Sequence, residues 1–151
     1  GPSAFDRAIS SACLTQALRE CREPVLRRFL QRLVDLRNLR DLGKHLQWEV
    51  TESPSFLPGG VIPPRALESA WRQRTLAPLL PEAAGAVPTT LEAEAALLRL
   101  VTTELTRAAR QPDGTGLILD YLWRLRLRAR NQRLRLYGRE LPAEVLAREV
   151  G

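Results

Sequence analysis

The densest chemistry in this sequence is cationic. Residues 117 to 139 hold seven arginines and one aspartate, so this segment alone carries the net +6 of the whole chain, and the remaining residues balance at sixteen basic against sixteen acidic. Guanidinium groups fork to carboxylates and to phosphates, which makes Arg124, Arg126, Arg128, Arg130, Arg133 and Arg135 the candidate partner-binding residues. Three takers are open: carboxylates on neighbouring helices, an acidic partner protein, or phosphates. Catalytic chemistry is thinly supplied. His45 is the only histidine, and the sequence contains no Cys-x-x-Cys, Gly-rich phosphate loop, Gly-x-Ser-x-Gly elbow or His-Glu-x-x-His pair. A lone histidine near a helix end reads as a cap or surface residue, so the expectation is a non-enzyme without catalytic residues, metal or cofactor. Cys13 and Cys21 lie eight residues apart. On one helix that is ~12 Å, beyond disulfide reach, and they read as packed thiols.

These arginines alternate with apolar residues in "YLWRLRLRARNQRLRLYGRE", a pattern that a half-buried strand and a helix can both produce. No stretch rich in β-branched residues and bounded by hairpin turns is available to pair with a strand, which favours the helix. At ~100° per residue, Ile118, Tyr121, Leu122, Leu125, Ala129, Gln132 and Leu136 share one face. Trp123, Leu127 and Leu134 make a narrower apolar stripe nearly opposite, with the arginines in the two seams between. The expectation is a central helix gripped from two sides.

The rest of the chain also reads as helices and connectors. Phe5 to Cys21 shows an apolar stripe at positions 5, 8, 9, 12, 13 and 17. Pro24 opens a second helix to about His45, with Val25, Leu26, Phe29, Leu30, Leu33 and Leu36 as its buried side and Gly43 weakening its end. "TESPSFLPGGVIPP", residues 51 to 64, holds too many prolines and glycines for a regular element, yet Phe56, Leu57, Val61 and Ile62 anchor it as an ordered connector. Pro64 starts a short helix to about Arg74, and a second breaker region runs from Pro78 to Pro88. Thr90, with Glu92 and Glu94 in the first turn, caps a helix to about Arg110, and "QPDGTG" turns the chain into the arginine-rich helix. Asparagine is a poor helix former, so Asn38 and Asn131 in mid-helix point to specific partners such as a neighbouring loop's backbone. Gly59 and Gly60 suit positive φ or a close backbone approach.

At 151 residues the chain suffices for one domain or two small lobes sharing a core. No apolar run reaches the roughly 18 residues of a membrane span, and the expectation is a soluble, intracellular protein. Gly1-Pro2-Ser3 looks like the scar of a cleaved purification tag, with residue 4 an arbitrary cut inside a longer protein.

Two segments share a pattern, "LVDLRNLRDLGKHLQ" at 33 to 47 and "LRLRARNQRLRLYGREL" at 125 to 141. Each has Arg-Asn inside a helix, then an arginine (Arg40, Arg133), then a glycine (Gly43, Gly138). This resembles the repeated Asp-or-Glu-x-x-Asn-x-x-x-Leu-Arg helix of the C subunit of the V/A-type rotary ATPases, counterpart of the eukaryotic d subunit. "FLPGGVIPPRALESAW" is similar to that family's Leu-x-Pro-Gly-Gly connector, "ARQPDGTGLILDYLWRLRLRARNQRL" to its last repeat, and "LPAEVL" at 141 to 146 to its short terminal helix. The resemblance covers most of residues 5 to 150. It implies an all-α fold of two similar helical-bundle lobes of three to four helices each, residues 4–77 and 78–151 after the tag scar 1–3, equivalent to the second and third of the family's three lobes. Asp35, Asn38, Arg40, Gly59, Gly60, Asn131 and Gly138 are then the structural motif residues. Arg128 departs from the pattern, standing where the family has an acid before the second asparagine, and Asp120 and Glu140 are poor substitutes by position; a paralogue with a changed partner stays open. The implied function is non-catalytic coupling in a proton- or sodium-translocating ATPase. Such a component links the central-stalk subunits D and F to the membrane rotor ring, peripherally on the cytoplasmic face. The alternative is a helical scaffold binding another acidic partner through the Arg-rich helix, with nucleic acid the less supported ligand.

Overall fold

The computed structural model describes residues 2–76, 79, 90–112 and 114–137. Five helices follow in order: α1 (Pro2–Glu20), α2 (Pro24–Gln47), α3 (Pro64–Arg72), α4 (Thr90–Ala108) and α5 (Thr115–Tyr137). The fold is all-α, and no strand occurs among the described residues. The arginine-rich segment is therefore helical as far as Tyr137. No described helix is long and apolar enough to cross a membrane. The breaker region Pro78 to Pro88 (Leu79 excepted), Gly138, Glu140 and the expected terminal helix at 141 to 146 lie outside the described residues.

Helix α2 starts where Pro24 occupies the first turn and the Glu23 side chain accepts hydrogen bonds from the backbone N–H groups of Val25 (3.0 Å) and Leu26. Two donors left over at a helix start are thereby satisfied, and the carboxylate sits at the positive end of the helix dipole. Gly43 does not end α2; the helix continues to Gln47 and closes at Trp48 and Glu49, the latter at φ 50. Helix α3 begins similarly, with Pro63 extended and Pro64 at its first position, and stops at Gln73, followed by Arg74 at φ 53. The Arg74 guanidinium then lies 5.5 Å from the Trp71 ring centroid and donates to the Val50 carbonyl (3.3 Å).

Two compact units emerge, Gly1–Leu98 and Arg99–Gly151. The first has a core of Leu18, Val34, Leu36, Leu39, Leu42, Leu67, Ala70, Leu76, Ala93 and Leu97. It includes the start of α4 because Ala93 and Leu97 are buried there and Glu94 pairs with Arg40 of α2. The second has a core of Val101, Leu105, Leu119 and Trp123.

Several expected faces are corrected. On α1 the packed side runs through Leu14, Ala17 and Leu18, whereas Ala8, Ile9, Ala12 and Cys13 are exposed; the side chain of Phe5 lies outside the described set. Cys13 is thus not a packed thiol, and Cys21 is half-buried just beyond the helix end. On α2, Val25, Leu26, Phe29, Leu30 and Leu33 are only half-buried; the fully buried side lies further along, at Val34, Leu36, Leu39 and Leu42, and takes Arg32, Asp35 and Asn38 with it. The apolar stripe turned toward the core is therefore interrupted by polar groups, each of which needs a partner.

Candidate functional site

Two clusters hold the residues singled out above. The first is a grip by α2 on the connector that follows it. Asn38 is buried (2% exposed) and bonds reciprocally to one residue of that connector: its Nδ2 donates to the Leu57 carbonyl (3.0 Å), and the Leu57 N–H donates to its Oδ1 (2.8 Å). One turn earlier, Asp35 is fully buried, and its Oδ1 accepts from the Ile62 N–H (3.0 Å) while its Oδ2 faces Arg32 Nη1 at 3.4 Å. Residues three apart on a helix lie on the same face, so Asp35 and Asn38 take hold of the second half of the connector at two points, Ile62 and Leu57.

The glycines between those two points are required by this grip. Gly59 has φ +92, a conformation L side chains rarely adopt, and a Cβ built at Gly60 would overlap the Asp35 carboxylate. Phe56, Leu57, Val61 and Ile62 are half-buried, and Pro54 is buried. Asp35, Asn38, Gly59 and Gly60 thus form one constellation, whereas Arg40 lies on a different, exposed side of α2 and pairs with Glu94 of α4. Burial pushes the Asp35 carboxyl above its usual range, opposed by the hydrogen bond from Ile62, the charge of Arg32 and the hydrogen bond from Val61.

The second cluster is the inner face of α5. Trp123 is 1% exposed, and its Nε1 donates to the Thr102 hydroxyl of α4 (2.8 Å). A Cβ at Gly116 would overlap the Ala108 backbone, so α5 starts in direct backbone contact with the end of α4. Asp120 is buried, accepts from the Arg124 Nε (2.8 Å) and from the Thr106 hydroxyl (3.3 Å), and through its hydrogen bond and charge raises the Arg124 pKa further. Sequence reasoning missed this Asp120–Thr106–Arg124 triangle. Its signal was an acid four residues before an arginine on one helix.

The arginines divide by role. Arg124 is held by Asp120, and Arg126 lies 5.6 Å from the Trp123 ring centroid. Arg130 is half-buried, as is Asn131. Arg128, Arg133 and Arg135 are exposed and form no ion pair among the described residues. The expected two-sided grip on α5 is corrected: Trp123 is buried and Leu127 and Leu134 are half-buried, but Ile118 (62%), Tyr121 (65%), Leu122 (51%), Leu125 (50%) and Leu136 (62%) are exposed. The narrower stripe is the packed one, because it carries the indole with its polar partner and follows from the tight start at Gly116. His45 is half-buried and its Nδ1 donates to the Asp41 carbonyl (2.8 Å), one turn back along α2. No group of three metal-ligating side chains gathers among the described residues. Comparison with known protein families, curated proteins and solved structures finds no match to the chain.

Proposed function

We propose that this chain is a non-catalytic structural coupling component of a rotary V/A-type ATPase, linking the central stalk to the membrane rotor ring from the cytoplasmic side. The observation that supports the reading is the grip on the connector. The Asp35-x-x-Asn38 helix and the Leu57-Pro-Gly-Gly connector resemble that family's motifs in two separate stretches, and here they are bonded to each other atom by atom. A helix that holds its own following loop through buried hydrogen bonds resists shear between the two, which a part that transmits torque requires. Arginines exposed on α5 offer register-setting charge toward neighbouring subunits. The motif residues act inside their own units in this reading, and stalk subunits D and F and the rotor ring are the partners.

The alternative, a helical scaffold that uses α5 to bind a different acidic partner, is favoured by Arg128 standing where the family pattern has an acid. Nucleic acid fits α5 less well, because an apolar strip runs between the exposed arginines where a phosphate backbone would lie. The test is capture from solubilised membranes and cytosol with the immobilised chain at low and high salt. Stalk or ring subunits retained at high salt support the coupling role. Recovery only of nucleic acid or unrelated acidic proteins, lost as salt rises, sinks it, since binding to duplex DNA weakens log-linearly by about 0.9 per neutralised phosphate.

A further inference from the structure

The exposed side of α5 has an order that its exposure alone does not explain. Ile118, Leu122, Leu125, Ala129, Gln132 and Leu136 follow one another at spacings of four, three, four, three and four residues, and all six are exposed. That is the a/d seam of a coiled-coil heptad, with Leu122, Ala129 and Leu136 at a and Ile118, Leu125 and Gln132 at d. The flanks are equally regular. The last two e positions are Arg126 and Arg133, and the last two g positions are Arg128 and Arg135. The buried residues Leu119, Asp120 and Trp123 lie off this seam. Helix α5 is thus mounted on α4 by its back, with a seam of ~27 Å turned outward.

We propose that this seam is a docking site for an amphipathic helix of another protein, one with apolar a/d residues and acidic e/g residues. Charge selects the occupant. A second copy of α5 would set Arg128 against Arg133 in a parallel pair, or like arginines against each other in an antiparallel pair, and like charges facing across a seam repel. Gln132, in the middle of the apolar line, matches a polar group on a facing helix and is mismatched to acyl chains. Arg126 is braced over Trp123, and Arg128, Arg133 and Arg135 project with no ion pair among the described residues, so the rim is available to carboxylates. The inference stands on α5 alone and survives failure of the rotary reading.

The probe is a labelled synthetic helix of about four heptads with Ile and Leu at a and d and Glu at e and g, whose own acidic flanks keep it monomeric; a second probe carries Lys at e and g. Titrated against the full chain by fluorescence anisotropy, the Glu helix is expected to bind saturably, and the Lys helix at least about tenfold more weakly. The double variant Leu122→Glu/Leu125→Glu, at side chains half-exposed in the free chain, should lose binding while keeping its helicity and melting temperature. The triple variant Arg128→Glu/Arg133→Glu/Arg135→Glu should reverse the preference in favour of the Lys helix. Equal affinity for the two probes, or no binding of either by the unmodified chain, overturns the proposal. So does self-association abolished by the Leu122/Leu125 double variant, which would make the occupant a second copy, or capture by anionic phospholipid vesicles without preference between the helices.

Discussion

Asn38 illustrates how one polar side chain in a core fixes a backbone path. Both halves of its amide are used on Leu57, so the reciprocal pair sets the amide's orientation and holds the connector by its own peptide groups. Asn38→Ala leaves that N–H and C=O without their partner, and the expected loss is about 2–3 kcal/mol in urea denaturation, against the 1–3 kcal/mol typical of each stranded buried group. Little or no loss would mean that water replaces the amide. Asp35 makes a different prediction because its charge is costly where it sits. Its folded pKa is raised above that of the unfolded chain, so the folded state holds the proton more tightly. The associated stability is full at acid pH and declines as pH rises from the ordinary carboxylate range through the raised value. Asp35→Asn keeps an oxygen to accept from Ile62 and cannot ionise; its stability should change less than that of the parent between about pH 4 and pH 7, read from denaturation midpoints across that range. The need for a partner at Asn38 was legible because asparagine disfavours mid-helix positions. That Asp35 shares the same connector was not, since an acid on a helix reads equally well as a solvated surface residue.

At the scale of elements, proline marks the starts of α2 and α3, and the connector between them is ordered by its apolar anchors together with the two buried side chains beneath it. Helix α5, like α1 and α2, packs by a face other than the one its apolar pattern suggests. Its packed face is the smaller one, and its attachment to α4 runs through Trp123, Leu119, the Gly116 approach and the bonds of Asp120 and Arg124 to Thr106. Trp123→Ala should therefore cost about 3–5 kcal/mol, as for other fully buried indoles, and Trp123→Phe about 1 kcal/mol through loss of the bond to Thr102. Thermal or urea melts followed by circular dichroism check both, and a near-neutral Trp123→Ala would remove the indole as the anchor of α5. The hydrophobic period identified two stripes on this helix and could not rank them, because a period is the same whichever stripe faces the core.

Across the whole molecule, α5 with its six arginines and one aspartate carries five of the six excess positive charges. Arginines four apart, such as Arg124 with Arg128, repel one another by a few tenths of a kcal/mol per pair. The ion pairs described elsewhere include the buried Arg32–Asp35 contact, which salt screens poorly. Raising salt from about 20 mM to about 500 mM is expected to raise the melting temperature by about 2–4 °C, as screening relieves the arginine cluster more than it weakens the pairs. A falling melting temperature in a calorimetric scan would show that attractive pairs dominate. Read without any structure, the sequence determined the helical architecture, the proline-marked starts, the ordered connector and the concentration of charge. These are consequences of local backbone preference and of residue counts, and both are properties of a linear string. Only the tertiary structure decided that Asp35 and Asn38 grip the same connector and that α5 packs by its Trp123 stripe and leaves its heptad seam exposed. Those outcomes depend on which surfaces meet, and a helical period is unchanged by rotating the helix about its axis, so nothing in the period selects the face that is buried.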